Sequence, residues 1–289
     1  MAVYLDHNAT TPIAPEVAEA MWPYLTEHFG NPSSSNPQGR LARRAIDEAR
    51  EQLAALIGAS PDEITFTSGG TEANNLAIRG AAAVASTAVA LTSVVEHPAT
   101  VQPLALLREA GWRIHRLPVD AAGRVRADDV PAGPIGLGTL ILAQNEVGTL
   151  QPVAEVAERV HAAGGVMHAD GAQAIGKVPV AVGELGVDLL SVAGHKLYAP
   201  KGVGALYVRR GTPIRPVLVG AGQERGLHPA PRTSPASSGS AGPPNWRGTS
   251  WTPSPGGSSR CANCSGPSCR PGSPGWCGSA RRTAACPTR

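Results

Sequence analysis

Asp188-Leu189-Leu190-Ser191-Val192-Ala193-Gly194-His195-Lys196 is an apolar run that stops on a glycine, an imidazole and an amine. The part from Asp188 to Ala193 reads as a buried strand, because a short apolar run closed by a turn signal suits a sheet interior. The same figure recurs upstream. Val166-Met167-His168-Ala169-Asp170 is a strand ending on an acid, and Thr139 to Ala143 ends at Gln144-Asn145-Glu146. Val89 to Val95 ends at Glu96-His97-Pro98, and Ile64 to Thr67 at Ser68-Gly69-Gly70. Val203 to Val208 is the last clear strand. Helical patterns lie between them. Gln38 to Ile57 carries a stripe of Leu41, Ala45, Ile46, Ala49, Leu53, Leu56 and Ile57, which Gly58 ends. Thr71 to Arg79, Pro98 to Leu107 and Pro152 to Ala163 are further helices, the last two with proline at the start. Strands alternating with helices predict an α/β domain with a mainly parallel sheet. Polar residues gather just past the strand ends, which is the edge where ligands bind in such sheets.

The composition breaks near residue 229. From Pro229 to Arg289 there is no Leu, Ile, Val, Met or Phe, and no Asp, Glu or Lys. Such a segment cannot bury enough apolar surface to offset the entropy of ordering its backbone, so disorder is expected. The chain therefore divides into a folded domain over 1–228 and a Ser/Pro/Gly/Arg/Cys tail over 229–289. Seven arginines of the tail account for the basic character of the whole chain. Without them 18 of the 25 basic residues face 22 acidic ones, a net charge of −4. The folded part therefore gives no electrostatic argument for nucleic acid. The N-terminus lacks the pattern of a signal peptide, and no stretch is apolar and long enough to span a bilayer. A soluble, cytoplasmic protein is expected.

Three lysines, Lys177, Lys196 and Lys201, stand among arginines. An amine forms a Schiff base and a guanidinium does not, so a lysine directly after a buried strand draws notice. The bland alternative for Lys196 is a solvent-facing loop lysine. The turn Ser68-Gly69-Gly70-Thr71 follows a strand and opens a helix, an arrangement that lets backbone N–H groups meet an anion. A helix start capped by Thr71 and Asn74 reads equally well. A carboxylate ending an apolar strand, as Asp170 does, calls for a cation. The protonated ring nitrogen of pyridoxal phosphate (PLP) is one such partner; an N-cap for Gly171–Ile175 is the other reading. His97 suits stacking on a ring or a structural position at a strand end.

These strings together resemble the cysteine desulfurases of the class V aminotransferase group. The resemblance rests on Tyr4-Leu5-Asp6-His7-Asn8-Ala9-Thr10-Thr11-Pro12, His28-Phe29-Gly30-Asn31-Pro32, Phe66 to Asn75, Glu96-His97-Pro98 and Asn145-Glu146-Val147-Gly148-Thr149. It continues through His168 to Gln173, Gly194-His195-Lys196 and Gly222-Gln223-Glu224-Arg225-Gly226, in the family's order up to about residue 228. The fold implied is the PLP-dependent transferase-like major domain, with the C-terminal small domain replaced by the tail. The resemblance implies that Lys196 holds PLP covalently and moves the substrate Cα proton. His97 would stack on the ring and assist protonation. Asp170 would meet the pyridine nitrogen, Gln173 the phenolic oxygen, and Asn145 would orient ring and substrate. Gly70, Thr71 and His195 would bind the phosphate. The implied reaction takes sulfur from L-cysteine and leaves alanine, in a homodimer that passes the sulfur to an acceptor or scaffold protein for iron–sulfur cluster or thio-cofactor supply. Selenocysteine lyase and a silent dimerisation partner are the alternatives.

The chain departs from the family at three places. Ala193 stands where Ser or Thr usually contacts the phosphate, and Ser35-Asn36 where a His-containing stretch is common. The third departure is the tail. Displaced by one base, suitable GC-rich codons for its start read as the family continuation, so an out-of-frame translation is expected, with turnover impaired. The tail's Cys261-Ala262-Asn263-Cys264 lacks a second C-x-x-C and a nearby His, so no metal site is expected.

Overall fold

A computed structural model of the chain describes residues 3–229. The tail, its cysteines and the expectations of disorder and of no zinc site lie outside the described residues. Thirteen helices and strands follow one another along the chain. They are α1 (Pro15–Thr26), α2 (Pro37–Ile57), β1 (Ile64–Thr67), α3 (Gly70–Ala82), β2 (Val89–Ser93), α4 (Pro98–Glu109) and β3 (Arg113–Leu117). Then come β4 (Leu137–Ile141), α5 (Val153–Ala162), β5 (Val166–Asp170), α6 (Val182–Leu185), β6 (Leu189–Ala193) and β7 (Gly204–Val208).

The strands form one seven-stranded sheet in the order β1-β7-β6-β5-β4-β2-β3. Pairing is parallel from β6 to β3, and antiparallel for β6 with β7 and β7 with β1. Two antiparallel steps return β1 to the direction of β6. The C-terminal ends of β1, β2, β4, β5 and β6 therefore share one edge of the sheet, and the turn into β7 meets them there. Side chains alternate between the faces, as the pleat requires. Leu190 packs in a cluster with Ile46 and Leu53 of α2 and Val156 and Val160 of α5, whereas its neighbour Leu189 packs with Leu76 and Ile78 of α3 and Leu104 of α4.

Local chemistry fixes the elements. Asn36 caps α2 by accepting from the Gly39 N–H at 2.8 Å, Pro37 opens it, and Gly58 closes it at φ 67°. One departure from the family pattern thus has a local role. Ile46, Leu53 and Ile57 are wholly buried along α2, each worth about 1.5–3 kcal/mol of transfer free energy. β2 stops at Ser93, two residues short of the sequence expectation, because the Ser93 hydroxyl accepts the Val95 N–H and curls the chain. β4 lies two residues earlier than expected, and Ala143 pairs instead with Leu150 in an isolated bridge.

Candidate active site

The strand ends enclose a cavity of about 700 Å³. The turn between β1 and α3, the His97 loop after β2, Asn145 after β4, Asp170 and Gln173 at β5, and His195 and Lys196 after β6 all line it. All eight residues singled out in the sequence meet there.

The α3 end of the cavity offers bare N–H groups. Gly69 stands at the N-cap with no side-chain acceptor, so the capped-helix reading of Thr71 and Asn74 does not hold. The first N–H groups of a helix lack intrahelical partners, and the dipole favours an anion beside them. Gly204 lets this turn approach, since a Cβ there would sit 2.6 Å from the Gly69 backbone. Two amines, Lys196 and Lys201, line the same space together with the His195 ring. Burial, then the charges of Lys196, Lys201 and His97, lowers the His195 pKa below the usual imidazole value.

Asp170 is 3% exposed. Its Oδ2 accepts from Asn74 Nδ2 at 2.7 Å and its Oδ1 from the Ala172 N–H at 3.0 Å. The second bond is the turn role foreseen as the alternative, and it brings no cation into contact with the carboxylate. Among the described residues no Lys, Arg or His forms an ion pair with Asp170. A buried carboxylate without a cation is costly unless a partner arrives.

Lys196 Nζ donates to the backbone carbonyls of Asn8 and, at 2.8 Å, of Ala9. Burial lowers its pKa, while Asp6 and Asp170 oppose the shift. Gln173 donates from Nε2 to Asn8 O at 2.8 Å and accepts Lys177 at Oε1, which fixes its amide orientation. His97 is the N-cap of α4. Its Nδ1 accepts the Ala99 N–H at 3.1 Å, so the neutral ring carries its proton on Nε2.

The sequence reading missed Asn8, Asn74 and Lys201 as site residues. The segment around Asn8 is pinned by Thr11, whose N–H and hydroxyl both donate to His195 O. Asn8 Nδ2 also donates to Asn145 O at 2.9 Å. Behind the site His168 is wholly buried between Thr139 Oγ1 (2.8 Å) and Ser191 Oγ (2.9 Å). Burial pushes its pKa down to about 3, so it stays a neutral spacer across β4, β5 and β6.

An α/β sheet edge carrying a lysine, a lone buried acid and an uncapped helix start defines a class of cofactor-dependent group-transfer sites. The chain belongs to the aminotransferase class-V family, which it matches over residues 3–248, and its relatives there place it with the cysteine desulfurases. It is 50% identical over 228 residues to cysteine desulfurase IscS of Dictyoglomus turgidum, covering 77% of this chain and 58% of the relative. It is 48% identical over 230 residues to a cysteine desulfurase of Cereibacter sphaeroides, covering 78% and 59%. The chain thus spans less than two thirds of the length of these relatives. Among solved structures it resembles a NifS-like protein with TM-score 0.81 and 37% identity, covering 83% of this chain and 68% of that one. SspA in complex with cysteine gives TM-score 0.79 and 35% identity, covering 83% and 71%.

Proposed function

We propose that this domain binds PLP and acts on L-cysteine as a desulfurase. The observation that carries the reading is the convergence on one cavity of Lys196, an uncompensated Asp170 and the bare N-terminus of α3. A ligand with a cationic ring nitrogen at one end and a phosphate at the other answers both charge demands at once. Asp170 would take the ring nitrogen. Gly70, Thr71 and His195 would take the phosphate, with Lys201 adding charge. Gln173 Nε2 would donate to the phenolic oxygen, and Asn145 would orient ring and substrate.

The cofactor supplies an electron sink for negative charge developing at the substrate Cα. The remaining work falls to side chains. Lys196, its amine partly withdrawn from water, would hold the cofactor and would take and return the Cα proton on Nζ. His97 would stack on the cofactor ring and would give a proton from Nε2, because Nδ1 is engaged with Ala99. The sulfur of L-cysteine passes to an acceptor thiol, leaving alanine. Residues 1–228 contain no cysteine, so the acceptor thiol lies outside this domain.

The five cysteines all fall between 261 and 286, in none of the family's contexts, and we infer that sulfur turnover by this chain is impaired. An out-of-frame tail from residue 229 accounts for that context, and resequencing the gene around codon 229 tests it. A homodimer in the cytoplasm is the expected setting. Trp22, Leu25 and Phe29 on and after α1 are exposed and apolar, which suits a subunit contact. Among the described residues no helix is long and apolar enough to cross a membrane.

Absorbance of the purified protein titrated with PLP is the direct test. A visible band that Lys196→Ala lacks is the expected result. A folded protein that takes up no PLP, or takes it up equally in the variant, overturns the reading. Alanine release from L-cysteine with an added thiol as sulfur acceptor separates desulfurase from cofactor binding alone.

A further inference from the structure

Glu96 precedes His97 and has no part in the mechanism above. Its stem is partly exposed, but Oε2 is buried and has no hydrogen-bond partner. Its Oε1 accepts from Ser93 Oγ at 2.5 Å. Around it the β2 end contributes that hydroxyl and β4 the Ile141 backbone N–H, both neutral. His97 is the next residue along its own segment. Asp170 at the end of β5 is the charged group of another element set against it, and it is of like sign.

A carboxylate anion with one unpartnered buried oxygen beside a second buried anion is the least favourable state of such a site. A carboxylic acid removes the like-charge repulsion and cuts the burial cost from that of an anion to that of one neutral polar group. We propose that Glu96 is a positioning residue held as a neutral carboxylic acid in the folded protein, leaving Asp170 the single anion behind the cavity. This rests on the reading of Asp170 as partner of the ring nitrogen. One cation then meets one carboxylate, and Glu96 fills its place beside His97 without adding charge. Burial, the largest cause, together with Asp170 pushes the Glu96 pKa up to about 8.

The sign of the pH effect follows. A folded-state pKa raised above the unfolded value gives stability that is present below about pH 4.5 and lost as pH rises through about 8. Glu96→Gln keeps the shape and cannot ionise. The test is the thermal midpoint of PLP-free wild type and Glu96→Gln from pH 5 to 9. The midpoint of the variant should gain on wild type as pH rises, by about 5 °C across the range. A difference that stays flat overturns the proposal.

A second arm reads cofactor affinity by absorbance. Above pH 8 the newly ionised Glu96 adds a second anion, so wild type should tighten on PLP relative to Glu96→Gln by roughly threefold or more. An affinity ratio that is constant from pH 6.5 to 9.5 overturns the link to the cofactor. If wild type takes up no PLP at all, the functional reading falls, and the thermal arm alone decides the protonation of Glu96.

Discussion

Two buried carboxylates of equal exposure, 3% each, sit in opposite electrostatic settings. Glu224, at the corner where β1 meets α2, accepts Arg50 Nη2 at 2.8 Å and Nη1 at 3.0 Å, and the Phe66 N–H at 3.0 Å. The Arg50 guanidinium also lies 5.0 Å from the Phe66 ring centroid. Asp170, at the cavity, has two neutral donors and no ion pair among the described residues, with Lys196 acting on it only through space. The corner is closed on itself and fastens the segment after β7 to the sheet. The cavity leaves charge open in the folded state, which is how a binding site differs from a structural pair of the same depth.

The contrast can be broken at four points. Lys196→Ala should abolish covalent cofactor uptake and cut alanine release in the presence of an added thiol acceptor by about 10²–10⁴-fold, while moving the thermal midpoint by no more than about 2 °C. A large loss of stability in that variant would make the lysine structural. Glu224→Gln should act the other way. It leaves the Arg50 guanidinium buried without its anion and costs about 3 kcal/mol in urea unfolding. Were the cost near zero, the corner would not be the fastening described. Asp170→Asn removes an unbalanced charge, so stability should hold or rise by up to about 1 kcal/mol. PLP affinity should nevertheless fall by about 10–100-fold, as one desolvated charge pair is lost. The smallest change is Ala193→Ser. Ala193 lines the cavity and lies beneath Gly70, where an added Cβ would come within 3.1 Å of it. A hydroxyl there should tighten PLP by up to about fivefold, near 1 kcal/mol for one added hydrogen bond.

Much of this was legible in the sequence for a physical reason. Asp170 and Lys196 end or follow apolar strands, where a charged residue is expensive and so conspicuous. The helices with a continuous buried stripe, above all α2, announce themselves by period. The stretches that escaped lack such a signal. Only Val17 is buried in α1 and Pro23 lies inside it, so no apolar face is visible. β3 is an edge strand written Arg-Ile-His-Arg-Leu, with only Leu117 buried. Asn74 sits within a helix and acts through a carboxylate 96 residues away. Glu96 belongs to a motif whose histidine drew the attention. Neither residue's partner follows from local pattern, because both depend on which strand ends the sheet order places side by side.

The hold of Asn8 and Ala9 on the Lys196 amine spans 188 and 187 residues of chain. On a ribosome, the segment around Asn8 emerges long before β6 and its lysine exist. The cavity wall can close only after that last parallel strand has docked, and closing so large a loop is slow. On the proposed function, vitamin capture would be a checkpoint on a finished domain: a nascent chain stalled before residue 196 has neither the amine nor the roof.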